Sequence, residues 1–110
     1  MTLGAHQRKF TSMIGCLIAW AYDHGYELTF AEAYRTPEQA ALNAKAGRGI
    51  RNSLHTMRLA VDFNLFRDGV WLRNTEDHEP LGLYWESIGG SWGGRFGDGN
   101  HYSLSYGGVR

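Results

Sequence analysis

A chain of 110 residues has room for one hydrophobic core and not for two, so a single domain over residues 1–110 is expected. Basic residues number 11 and acidic residues 11, which leaves a formal charge of zero and excludes a global field steering the chain to nucleic acid or to an anionic membrane. Cys16 is the single cysteine, which excludes an internal disulfide and any zinc site built from several thiolates; a metal here must be held by His, Asp or Glu.

Met1 to Phe10 is polar and mixed in charge, without the apolar stretch of a signal peptide. Synthesis in the cytoplasm is therefore expected, with release by other means. Phe10, Met13, Ile14, Leu17, Ile18 and Ala21 recur at helical spacing and predict a first helix from about Ala5 to about His24, closed by Gly25. Its apolar run is too short to span a bilayer. Cys16 reads as a buried free thiol within it, and His6 and His24 as solvated flanks. Glu27 to Arg35 alternates, with Leu28, Phe30, Glu32 and Tyr34 on one side, and reads as a strand. Thr36, Pro37 and Gln39 then spell an N-cap, a first helical position and a capping box, so a second helix runs to about Ala46 and stops at Gly47.

Lys45 to Asn52 is a loop holding the basic residues Lys45, Arg48 and Arg51. Leu59 to Phe66 reads as a strand, Asp68-Gly69 as a hairpin turn, and Val70 to Leu72 as the returning strand. Thr75 to Glu79, with His78, reads as a surface loop. Leu81, Tyr84, Trp85 and Ile88 predict a short third helix ended by Gly89-Gly90, and Trp71 and Trp85 read as core. Ser91 to Asn100 is a glycine-rich structured loop, and His101 to Tyr106 a final strand. The order α, β, α, β, β, α, β gives an α+β domain with a mainly antiparallel sheet packed by helices.

The chemistry concentrates in two stretches. In the first, His55 leaves a polar loop and Asp62 follows seven residues later, inside the apolar run Leu59-Ala60-Val61-Asp62-Phe63. A carboxylate in such a run is costly unless paired or bound to a metal. In the second, Asp98 precedes His101 by three residues, among glycines that let backbone approach closely. Two His and one Asp suffice for a catalytic zinc site, which takes three protein ligands and leaves a fourth position for water. Zinc lowers the pKa of that water to about 7, and a neighbouring carboxylate then serves as general base. His55, Asp62 and His101 supply the ligands, and Asp98 is left as the base. Trp92, beside Asp98, is a candidate wall of the cleft.

Ser-x-His, an Asp seven residues after that His, and a later Asp-x-x-His resemble peptidase family M15. Its members include D-Ala-D-Ala carboxypeptidases and dipeptidases and the L-alanyl-D-glutamate endopeptidases used as phage endolysins. Tyr34-Arg35-Thr36 with Gln39 is similar to the Arg-bearing turn upstream of the family's first ligand. The resemblance runs from about Phe30 to Ser103. It implies the Hedgehog/DD-peptidase fold, zinc as cofactor on His55, Asp62 and His101, and Asp98 as catalytic carboxylate. It also implies that Arg35 and Ser53 meet substrate near the cleaved bond, Arg35 helping to stabilise the oxyanion. Many members carry Gly three residues after the first His, where this chain has Arg58. Glu32 either faces the cleft beside Arg35 or pairs with it.

The expected activity is hydrolysis of a peptide bond in peptidoglycan stem peptides, as an L-alanyl-D-glutamate endopeptidase of the endolysin type. The alternatives are a D-Ala-D-Ala carboxypeptidase or dipeptidase of the same family and a non-catalytic wall-binding module. The expected partner is the stem peptide, with no nucleic acid, no stable membrane insertion and a monomeric chain.

Overall fold

The computed structural model describes residues 1–48 and 53–109. Arg51 and the rest of the predicted loop beyond Arg48 lie outside the described residues. No described helix is long and apolar enough to cross a membrane.

Helix α1 spans Leu3–Asp23. It starts earlier than its apolar stripe suggests because Thr2 caps it, the Thr2 hydroxyl accepting from the Ala5 N–H at 3.1 Å. Phe10, Met13, Ile14, Leu17 and Ala21 form its buried stripe, the four larger side chains each contributing roughly 1.5–3 kcal/mol of burial. Cys16 lies off that stripe and is exposed, against the expectation of a buried thiol. Helix α2 spans Pro37–Lys45, with the Thr36 hydroxyl accepting from Gln39 N–H at 3.1 Å. The Gln39 side chain does not close the capping box; it donates to Asn43 Oδ1 at 2.7 Å. Helix α3 spans Glu79–Ser87 and places Trp85, fully buried, at the heart of the core. The Trp85 indole N–H reaches the Ser103 carbonyl at 2.9 Å, and the rings of Phe10 and Tyr102 meet its own edge-to-face.

The sheet has five strands, β1 (Glu27–Phe30), β2 (Ala60–Arg67), β3 (Val70–Leu72), β4 (Ser91–Trp92) and β5 (His101–Ser103), in the order β1-β2-β5-β4 with β3 also on β2. Every pairing is antiparallel. The β2–β3 turn has Asp68 at φ 53° and Gly69 at φ 77°, the paired left-handed geometry that an Asp-Gly hairpin favours. Along β2 the buried residues Phe63 and Leu65 face the helices, while Asp62, Asn64 and Phe66 are half-buried on the opposite face. That alternation is what puts a carboxylate inside an apolar run without burying it in the core.

Five other expectations change. The predicted final strand His101–Tyr106 stops at Ser103, and Tyr106 instead forms a bridge with Val109. The predicted strand Glu27–Arg35 stops at Phe30, where the register breaks. The loop Ser91–Asn100 contains β4 and a 3-10 turn, Gly93–Phe96. Trp71 is 52% exposed rather than core, on the short strand β3, with the Arg73 guanidinium 5.0 Å from its ring centre. His78 is 3% exposed rather than a surface residue, because the 3-10 turn Thr75–His78 leads into α3 and tucks its ring against Tyr102.

Candidate metal centre

Strands β2 and β5 bring Asp62 opposite His101. The Asp62 N–H donates to the Glu32 carbonyl at 2.7 Å, and its carbonyl accepts from Ala31 N–H at 2.9 Å. Both Asp62 backbone groups thus face away from β5, and Asp62–His101 is a non-hydrogen-bonded pair, the type that holds facing side chains closest. His55 arrives on the 3-10 turn Leu54–Met57. The Ser53 hydroxyl caps that turn, accepting from His55 N–H at 3.2 Å. The turn ends at Arg58 with φ 56° and ψ 37°, a left-handed conformation that glycine adopts without cost and other residues rarely do. The guanidinium of Arg58 lies 4.2 Å from the Tyr34 ring centre, a cation–π contact that offsets part of that cost.

Three donor atoms converge. Asp62 Oδ1 lies 3.4 Å from His55 Nε2 and 3.2 Å from His101 Nδ1. His55, Asp62 and His101 form the group able to hold a metal ion among the described residues. Two ligands of a tetrahedral ion bonded at about 2.0–2.1 Å stand about 3.3–3.4 Å apart, so the spacing fits. Burial pushes the Asp62 carboxyl up, but its contacts with His101 and His55, and their charges, outweigh that and hold it at about 2. It is therefore an anion at neutral pH, as a metal ligand must be.

The three ligands line a cavity of about 280 Å³ together with Arg35, Arg48, Ser53 and Asp98. Asp98 is fixed by its backbone, its N–H donating to the Gly93 carbonyl at 2.9 Å and its carbonyl accepting from His101 N–H at 3.2 Å. A Cβ on Gly93 would come within 2.3 Å of the Asp98 carbonyl oxygen, so that close approach needs glycine. Burial raises the Asp98 pKa, with the neighbouring Asp62 carboxylate adding to it and the two histidines opposing. A carboxylate of raised basicity beside a metal site is suited to accept a proton.

The structure thus brings together His55, Asp62, His101, Asp98, Arg35 and Ser53. Trp92 it does not: that ring is 4% exposed and belongs to the core. Its indole N–H donates to the Gly99 carbonyl at 2.8 Å, which buttresses the Asp98–His101 turn from within. Phe96, 54% exposed, lines the cavity instead. Arg48 also lines it, so one basic residue of the loop faces this site. Glu32 is ion-paired with Arg35, and its Oε1 lies 3.5 Å from His55 Nδ1. Sequence reasoning missed Phe96 and Arg48 because nothing in their spacing separates a cavity wall from a solvated surface.

The chain matches the family profile described as D-alanyl-D-alanine carboxypeptidase over residues 46–104. No curated protein matches it. Among solved structures it is similar to the Serratia marcescens L-Ala D-Glu endopeptidase ChiX, at 18% identity and a TM-score of 0.75 over 89% of this chain and 79% of that one. It is also similar to the vancomycin resistance D,D-pentapeptidase VanY from a VanB-type resistance cassette, a point mutant in complex with Zn(II). There the identity is 20% and the TM-score 0.64, over 87% of this chain and 70% of that one. At these identities the likeness is one of fold.

Proposed function

The chain belongs to peptidase family M15, and on that premise we propose that it is a zinc endopeptidase cutting the L-alanyl-D-glutamate bond of peptidoglycan stem peptides. The observation that carries this reading is the convergence of His55, Asp62 and His101 in one cavity with Asp98. The named activity of ChiX and the Zn(II) of VanY support it.

His55, Asp62 and His101 would hold the zinc, which would supply Lewis acidity at the scissile carbonyl and lower the pKa of a water to about 7. Asp98 takes the proton of the attacking water and returns it to the leaving amine. Arg35 holds a fixed positive charge on the cavity wall, where the carbonyl oxygen becomes negative. Ser53 keeps the turn bearing His55 in place and lines the floor nearby.

The same reading makes the chain a monomeric phage or prophage endolysin, made in the host cytoplasm and acting on the wall after release. Fractionating lysing cells tests that route. The bond itself is tested by mass spectrometry of purified peptidoglycan fragments incubated with the zinc-loaded protein and with Asp98→Ala. Asp98→Ala should keep zinc and lose cleavage by about 100-fold or more. Full activity in that variant overturns the mechanism. Release of D-Ala by the wild type in place of L-Ala–D-Glu cleavage would assign the carboxypeptidase activity that the family description names.

A further inference from the structure

We infer that Glu32 is a positioning residue for the metal centre, one carboxylate that orients the first ligand, His55, and the cavity arginine, Arg35. The inference rests on the zinc reading above and deepens it.

The backbone shows why Glu32 is where it is. Phe30 pairs with Phe63, so strict alternation would set residue 31 opposite Asp62 and residue 32 opposite Val61. Side chains at 61 and 62 point to opposite faces, and Glu32 would then point away from the ligands. Instead Asp62 faces two residues: its carbonyl accepts from Ala31 N–H at 2.9 Å and its N–H donates to the Glu32 carbonyl at 2.7 Å. This is a β-bulge, a device that re-aims a side chain and is frequent beside active sites. Here it returns the Glu32 carboxylate to the ligand face.

On that face the carboxylate has two neighbours. Its Oε1 is ion-paired with Arg35 Nη2 and stands 3.5 Å from His55 Nδ1. His55 is 3% exposed, and its Nδ1 is buried with no hydrogen-bond partner among the described residues. The other ring nitrogen, Nε2, is the one aimed at Asp62 and the metal position. For Nε2 to offer a lone pair, the proton of the neutral ring must sit on Nδ1. Among the described residues, the Glu32 carboxylate is the acceptor that stands nearest that proton, at 3.5 Å from Nδ1. A carboxylate behind a metal-bound histidine fixes its tautomer and ring plane and makes it a better donor. The backbone adds a further tie, since Arg35 N–H donates to the His55 carbonyl at 3.2 Å. Glu32 thus holds one ligand by its side chain, another by its main chain, and the arginine between them.

The test is zinc affinity, measured by chelator competition on the full chain for the wild type, Glu32→Gln and Arg35→Gln. Thermal unfolding of each metal-free protein runs beside it. Glu32→Gln should weaken zinc binding by about 10- to 100-fold, with metal-free unfolding unchanged and Arg35→Gln close to wild type. Wild-type affinity in Glu32→Gln overturns the inference alone. Equal losses in Glu32→Gln and Arg35→Gln also overturn it, since the ion pair would then be a strut. Failure of the wild type to bind zinc overturns the underlying reading and the inference with it. Should Glu32→Gln unfold early, Glu32→Asp takes its place. Its carboxylate is drawn back by one methylene, weaker zinc binding is again expected, and unchanged affinity again overturns the inference.

Discussion

His78 shares a 2.8 Å hydrogen bond with the Tyr102 hydroxyl, and burial lowers its pKa to about 4, against a smaller upward pull from Asp77. An unfolded chain would protonate the same imidazole near pH 6.5. Between those values the unfolded state binds more protons than the folded one, so folding stability falls as pH drops from about 6.5 towards 4 and the loss levels off below. The shift corresponds to at most about 3 kcal/mol. Urea unfolding of the metal-free protein at several pH values should show that slope, and His78→Gln should flatten it. A slope equal in both proteins would assign the loss to other groups. Single residues were unevenly legible in the sequence. Asp62 stood out because a carboxylate in an apolar run demands a partner, and the partners proved to be His55 and His101. His78 carried no such signal, since its acidic neighbours read as surface and its burial depends on Tyr102, distant in sequence. Glu32 was visible as a charge but not as a partner of His55, because a bulge is set by strand pairing.

Among the elements, β4 and the turn after it have the least sequence signature and some of the tightest packing. A strand of two residues is too short for alternation to show, and the glycines flanking it read as loop. Those glycines are instead clearances for aromatic rings. A Cβ on Gly82 of α3 or on Gly94 would fall 2.1 Å from the Trp92 ring, and one on Gly90 at the same distance from Trp85. Gly82→Ala should therefore lower stability by about 1–3 kcal/mol through overpacking, read as a lower urea midpoint with unchanged slope. An unaltered midpoint would mean that α3 slides away from β4 without cost. The long helix and the β2–β3 hairpin were legible for the opposite reason: a repeated apolar stripe and an Asp-Gly turn are local signals that tertiary packing does not need to supply.

At the scale of the molecule, the ligands tie two distant parts of the chain at one point. Asp62 and His101 are 39 residues apart, and the intervening segment contains β3, α3 and β4. A cation bound to the folded state alone stabilises it by mass action, about 2.7 kcal/mol at a free concentration a hundredfold above Kd. The melting temperature should then rise by about 10 °C or more over the metal-free protein. Calorimetry with zinc and with excess chelator measures this. Equal melting temperatures would show that the ligands do not hold the ion.

With a lone cysteine the chain cannot form an internal cross-link of its own, so the ion is the nearest thing it has to one. Unlike a disulfide, that closure is reversible on the timescale of dilution and competition. Surroundings poor in free zinc would undo it, and the segment between the two ligands would then open more often to any protease present. The working lifetime of the protein would then track the metal content of the medium, long where zinc is plentiful and self-limiting where it is scarce.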